Sequence, residues 1–332
     1  MSTDVMQYPV YSSGFWSRYY IHMRPYLLYI SGIAGLTGMA LIPDPDILHV
    51  VIGLLPLFFA YGMGQALTDV FQVDTDAISS PYRPLVKGEI SKKAVFLVSN
   101  AGLILGVLIL ALMNIWLLIP GLLSIVGLAT YTPFKRTWWG GPPWNSWIVA
   151  LLPVMGRMID TGFHPMAVFF PPKGAGLPLF YATAAIFFAY ANFVVGGYFK
   201  DISADRETDY QTFQVRFGWF AGAVYSDLLA GLSVVFTGLA ILPVIRTGAS
   251  AGMIAAGLLV FTAVLNAIAQ IKLHLTSDED AAHGPIATIV RSFILYCIVI
   301  ILAYKLHWWP ALCVFYILFE LTLKYRPAKS QV

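Results

Sequence analysis

Apolar runs long enough to cross a membrane alternate with short polar connections along most of the chain. Runs near 25–43, 47–71, 93–113, 115–132, 145–163, 177–200, 219–246, 250–274, 286–304 and 308–324 read as helices. Roughly 20 apolar residues cross a bilayer in that form. Only "YKLHWW" separates the last two, so nine and ten spans both fit. The pattern predicts an all-α, polytopic transmembrane helical bundle. Residues 1–24 form an N-terminal segment, 25–325 a single bundle domain and 326–332 a tail.

Composition agrees. The 332 residues are 58% hydrophobic, 15% aromatic and only 11% charged, whereas soluble domains carry about 25% charged residues. Residues 1–24 are mixed and polar, so no cleavable signal peptide is expected. Cys297 and Cys313 lie inside apolar runs and read as small buried hydrophobes, not as a disulfide. The net charge of +3 points to no partner. No basic stretch carries interleaved aromatics, so no nucleic-acid partner is expected.

Charge placement orients the bundle. With ten spans, sixteen Lys and Arg residues fall on the side holding 68–93 and 200–218, and only Lys173, Arg246 and Lys305 fall opposite. The positive-inside rule makes the first side, with both termini, cytoplasmic.

The two longest cytoplasmic loops are also the polar ones. The first reads "TDVFQVDTDAISSPYRPLVKGEIS" (68–91) and the second "YFKDISADRETDYQTFQVRFG" (198–218). Gln65, Asp69, Gln72 and Asp76 are spaced 4, 3 and 4 apart, which predicts one face of a helix leaving the membrane. Asp201, Asp205 and Asp209 repeat every four residues, with Lys200 adjacent. Acids on facing helices repel unless a cation lies between them. Such oxygen ligands suit Mg²⁺, which keeps waters and shares substrate phosphates. Arg83, Lys87 and Lys135 then fall where a metal-bound diphosphate needs donors. Lys135 closes the YxxxK pattern that Tyr131 opens in "YTPFKR".

These stretches resemble the signatures of the UbiA superfamily of intramembrane prenyltransferases. The first is similar to NDxxDxxxD followed by Pro-x-Arg-Pro, and the second to Lys-Asp, DxxxD and Thr-x-x-x-Arg-Phe-Gly. "YTPFK" and the opening "HMRPYLL" match as well, so the resemblance covers about 15–245. It implies a helical bundle around a cavity open to the bilayer, with Mg²⁺ and an isoprenoid diphosphate under two cytoplasmic caps. Asp69, Gln72, Asp76, Asp201, Asp205 and Asp209 would hold the metal. Asp69, Asp76, Asp201, Asp205 and Lys200 would act in catalysis. Arg83, Lys87, Tyr131, Lys135, Asn192 and Tyr198 would hold the diphosphate. Two positions depart from the family: its Asn is Thr68 here and its middle Asp is Gln72.

The resemblance implies transfer of a prenyl group to a hydrophobic aromatic or lipid acceptor drawn from the membrane. Cyclisation of the prenyl chain by a terpene cyclase of the same family is the alternative. An ion-coupled transporter is a third reading, although transporters place their ion sites near the midplane. Within the spans, Arg157 and Asp160 are expected to pair, Asp227 has no local partner, Asn266 and Gln270 need a cavity or partner, and Glu320 suits a helix end or an oligomer contact.

Overall fold

A computed structural model of the chain describes residues 7–160, Met166 and 176–326. Among these every regular element is helical. At the end that carries the two polar loops, α1 (Ser13–His22) is capped by Ser12, whose hydroxyl accepts from the Phe15 amide. The bundle follows with α2 (Leu28–Ala40), α3 (Ile47–Asp69), the short α4 (Val73–Ser79), α5 (Lys92–Met113), α6 (Leu118–Ala129), the short α7 (Tyr131–Lys135) and α8 (Gly141–Met158). Then come α9 (Leu177–Tyr198), the short α10 (Ile202–Glu207), α11 (Phe213–Arg246), α12 (Ser250–His274), α13 (His283–Tyr304) and α14 (Trp309–Lys324).

Each expected span has a helical counterpart, with shifted bounds. Seven helices of the described residues are long and apolar enough to cross a membrane. The run at 25–43 is a 3₁₀ turn at Pro25–Leu27 followed by α2. The run at 115–132 stops at Ala129, because Thr130 leaves the helical region and Tyr131 starts α7. The last residues of the run at 145–163 and most of the Pro/Gly-rich segment after it lie outside the described residues. Gly218 takes φ 84 and breaks α11, so the span begins at 219 as its hydropathy predicts. Glycine reaches that left-handed backbone at little steric cost.

Packing explains the burial pattern. Every residue of α2 is buried. A Cβ on Gly38 would lie 1.8 Å from the Pro153 carbonyl oxygen, and one on Gly156 2.0 Å from that of Gly35. Small residues let membrane helices approach this closely. α13 forms the centre, buried along nearly its whole length. α14 lies outside it, tied by Arg291, whose guanidinium donates to both Glu320 oxygens at 2.7 and 2.9 Å. Glu320, near the end of α14, is therefore a partner of α13. Arg157 and Asp160 do pair, at 3.0 Å.

Candidate active site

Both polar loops close over the same end of the bundle. α3 stops at Asp69, and a turn closed by Phe71 N–H to Thr68 O and Gln72 N–H to Asp69 O leads into α4. The expected single face is thus broken after Asp69, yet Gln65, Asp69, Gln72 and Asp76 all line one chamber. From the other side α9 stops at Tyr198 and α10 starts at Ile202, which leaves Lys200 and Asp201 in the connecting turn on the chamber wall. The two caps touch where the Thr75 and Thr208 hydroxyls lie 3.0 Å apart.

Acids and cations alternate around this chamber. The Arg24 guanidinium donates to both oxygens of Asp69 at 2.9 and 2.7 Å. Arg83 pairs with Asp76 and lies 3.3 Å from Asp69. Lys135 lies 3.6 Å from Asp205 and donates to the Gln72 side-chain oxygen at 3.3 Å. Its ammonium also sits 5.0 Å from the Tyr210 ring centre and 5.8 Å from that of Tyr198. Lys200 lies 4.0 Å from Asp201, and the Tyr131 and Tyr198 hydroxyls are 3.0 Å apart.

Burial and pairing set the charge states at the caps. Burial pushes Asp76 up to about 6 despite Arg83. It pushes Asp205 up to about 6 despite Lys135. Burial opposes ionisation of Asp201 too, but Lys200, Lys135 and Arg83 together hold it below the usual carboxylate range. Burial also lowers His22, 3.8 Å from Asp69, to about 4, so its imidazole is neutral at pH 7.

Asp205 is fully buried and meets the chamber only through Lys135, and three more of the expected site residues lie elsewhere. Asp209 is exposed with φ 62, because α10 ends at Glu207 and the chain turns left-handed there. It therefore leaves the face that a continuous helix would have given Asp201 and Asp205. Lys87 is exposed on its loop. Asn192 faces α11 and donates to the Ser226 carbonyl at 2.6 Å. In turn, Arg24, His22 and Asn145 escape the spacing argument. His22 and Arg24 do lie in the matched opening "HMRPYLL", and Arg24 takes φ 55, a strained backbone state that clusters at functional sites.

Beneath the chamber lies an apolar cavity of about 430 Å³ between α3, α5, α6 and α8. Tyr61, Gln65, Asn145 and Tyr190 line both spaces. The Tyr61 and Tyr190 hydroxyls lie 2.5 Å apart at this junction. A charged head chamber thus abuts an apolar body.

The sequence pattern of the UbiA prenyltransferase family matches residues 28–285. The chain belongs to that family. It is accordingly a multi-pass integral membrane protein of the UbiA type. It is 26% identical over 265 residues to a digeranylgeranylglyceryl phosphate synthase of Thermococcus kodakarensis, covering 78% of this chain and 88% of that one. A protoheme IX farnesyltransferase of Geobacter sulfurreducens is 33% identical over 119 residues, covering 34% and 43%. The fold is shared with a UbiA homologue from Archaeoglobus fulgidus solved with DMAPP and Mg²⁺. That likeness has a TM-score of 0.62 at 20% identity, over 86% of this chain and 99% of that one.

The donor set of this UbiA chain suits a hard cation held jointly with a ligand. Among the described residues no three carboxylate, imidazole or thiol groups converge as a ready-made metal cluster. The acids stand as two pairs, Asp69 and Asp76 bridged by Arg83, and Asp201 and Asp205 beside Lys200 and Lys135. Mg²⁺ typically takes one or two carboxylates and completes its shell with waters and phosphate oxygens. Each pair supplies that much. The Asp205 oxygen that faces Lys135 at 3.6 Å makes no hydrogen bond.

Proposed function

We propose that the protein is a Mg²⁺-dependent prenyltransferase that ionises an isoprenoid diphosphate and passes the prenyl group to a lipid or aromatic acceptor within the membrane. The observation that carries this reading is the junction at Tyr61, Gln65, Asn145 and Tyr190, where a chamber of alternating acids and cations meets an apolar cavity. That is the shape of a charged head and a hydrocarbon tail. The sixteen-to-three charge bias supports a cytoplasmic chamber.

In this reading the chain's residues exchange partners when substrate arrives. Arg24, Arg83, Lys135 and Lys200, now paired with acids, would turn to the diphosphate oxygens. Asp69, Asp76, Asp201 and Asp205 would then be free to hold Mg²⁺, with the Gln72 amide as a neutral oxygen donor. Bound Mg²⁺ supplies Lewis-acid neutralisation of the leaving diphosphate. The basic residues stabilise the same charge as the allylic C–O bond breaks, in a site with little water. Phe59, Tyr61 and Tyr190 line the cavity wall, and aromatic rings stabilise a neighbouring cation. The product name of the Thermococcus relative carries two geranylgeranyl groups on a glyceryl phosphate. A glyceryl phosphate lipid with one such group is therefore the first acceptor to test.

The test is purified protein with Mg²⁺, geranylgeranyl diphosphate and that acceptor, and the same mixture without acceptor. Diphosphate release that depends on acceptor supports transfer. Steady release of a cyclic hydrocarbon or terpene alcohol without acceptor assigns the cyclase chemistry instead.

A further inference from the structure

Most polar side chains within the spans make their contacts inside the protein. Asp227 lies 2.7 Å from His274, and Gln270 donates to Asn192 and Asn266 at 3.3 and 3.2 Å. Gln65 of α3 stands apart, because one half of its amide is engaged and the other half is open to the site.

Its neighbours fix which half is open. The Asp69 carboxylate, held by Arg24 at both oxygens, can only accept. The Gln65 amide nitrogen therefore faces it, at 2.7 Å. The Thr68 hydroxyl donates to the Gln65 main-chain carbonyl at 2.9 Å, so it too accepts from the Gln65 amide nitrogen, at 3.2 Å. Both amide hydrogens are thereby engaged, and the side-chain oxygen points elsewhere. Thr68, where the family has Asn, thus serves as the second anchor of this amide.

The Gln65 oxygen has no hydrogen bond among the described residues, and it keeps accessible surface on a half-buried side chain. Gln65 is also one of the four residues that the walls of the chamber and the cavity share. Of the others, the Tyr61 and Tyr190 hydroxyls hold each other at 2.5 Å, and Asn145 is hydrogen-bonded to Tyr131. An acceptor atom is thus left open where the head space meets the tail space.

A prenyl diphosphate joins its head to its tail at one C–O bond, so in the reading proposed above that bond lies at this junction. The second substrate attacks the same carbon. A hydroxyl brought there from the membrane needs a partner for its hydrogen, since a polar group away from water is costly unless it is paired. We infer that the Gln65 side-chain oxygen accepts that hydrogen bond and aims the hydroxyl oxygen at the allylic carbon. The hydroxyl oxygen bonds to the carbon as the carbon's bond to the diphosphate breaks, and the electron pair leaves with the diphosphate. An amide oxygen is too weak a base to keep the hydroxyl proton, which passes to a diphosphate oxygen. The inference rests on the prenyl-transfer reading and adds to it a class of acceptor, a hydroxyl compound that attacks through oxygen. Lipid alcohols and phenols share that chemistry.

The test measures binding without turnover. The full chain in phosphatidylcholine nanodiscs is loaded with Mg²⁺ and geranylgeranyl thiolodiphosphate, whose C–S bond ionises far more slowly. Two pairs of probes are compared after correction for partition into empty nanodiscs. One pair is geranylgeranylglyceryl phosphate and its analogue without the free hydroxyl, and the other is 1-naphthol and 1-methylnaphthalene. In at least one pair the hydroxyl compound should bind about tenfold tighter, as one hydrogen bond implies. The pair that shows it separates a lipid-alcohol acceptor from a phenol. In Gln65→Leu the preference should disappear. Any effect of the substitution through Asp69 falls on both members of a pair and cancels. Absence of a preference in the parent protein overturns the inference even where the leucine variant does not fold, and so does an equal preference in a folded Gln65→Leu protein. The prenyl-transfer reading fails separately, by the absence of acceptor-dependent diphosphate release.

Discussion

Arg24 grips Asp69 with one guanidinium nitrogen at 2.9 and 2.7 Å from its two oxygens, across 45 residues of sequence. The pair joins the segment before α2 to the end of α3 and fixes the chamber's first acid. Removing one partner of a buried pair usually costs about 3–5 kcal/mol. Here Arg83 stays 3.3 Å from the same carboxylate and shares the loss. Arg24→Gln should therefore lower stability by only about 1–3 kcal/mol in thermal melts. Its kcat/KM for a prenyl diphosphate should fall at least about tenfold, because a charge-assisted donor to the phosphates is gone. Unchanged kcat/KM would mean that Arg24 is a structural cation alone.

Asp201 and Asp76 stand in opposite acid pairs, so each tests one half of the proposed site. Asp201→Asn and Asp76→Asn keep the shape and remove the charge. Each should reduce Mg²⁺-dependent diphosphate release by about 10²-fold or more. Asp209→Asn, exposed beyond the end of α10, should change it less than about threefold, within the ordinary scatter of a surface substitution. Comparable losses in all three variants would move the metal site outward.

The first acidic row was legible because its spacing survives the break in its helix. The turn at 70–72 is short, so Gln72 and Asp76 still return to the chamber. The second row was legible only as far as Asp205. Spacing of four assumes a helix that continues, and α10 stops at Glu207 before a left-handed Asp209. Asn192 illustrates another limit: apolar periodicity is weak in a helix buried nearly all round, and α9 gives no clue to which neighbour a polar residue faces. Asn145 reaches the site through tertiary packing alone, whereas His22 and Arg24 lie in the matched opening "HMRPYLL". The spans themselves were the plainest signal, because lipid admits little other than helices.

The raised acids give stability a definite dependence on pH. Asp76 and Asp205 hold protons up to about 6 when folded, against about 4 in an unfolded chain. Between those values the two acids bind more protons in the native state, while His22, lowered to about 4 from about 6.5, binds fewer; two acids outweigh one imidazole. Without metal, stability should therefore fall as pH rises from about 4 to 6 and level off above. Metal binding needs the ionised acids, so Mg²⁺ with an unreactive prenyl diphosphate analogue should stabilise more at pH 7.5 than at pH 5. Melting temperatures at the two pH values, with and without both ligands, check both signs.

The approach of α2 to α8 predicts a purely structural sensitivity. Gly156→Ala places a methyl against the Gly35 backbone, where no flexible side chain can give way. Overpacking of this kind costs about 1–3 kcal/mol. Gly197→Ala meets nothing within 4 Å and should melt within about 0.5 kcal/mol of the parent. Equal melting of the two variants would contradict the packing of α2 on α8.

The apolar cavity predicts which prenyl donors fit. Its wall runs from Gln65, at the chamber junction, to Ile52 near the far end of α3. Thirteen residues of helix correspond to about 20 Å. An isoprene unit advances by four carbon–carbon bonds of about 1.5 Å each, or roughly 5 Å along a zigzag chain, so the wall matches a donor of about four units. Gly106 lies on this wall, where a new Cβ would sit 3.2 Å from Pro56, on the wall across from it. Gly106→Leu should push its branch into the far part of the cavity and leave the chamber untouched. The variant should keep turning over geranyl diphosphate while kcat/KM for geranylgeranyl diphosphate falls by about 10-fold or more, as a few blocked methylenes imply. Parallel losses for both donors would show that the hydrocarbon tail lies elsewhere.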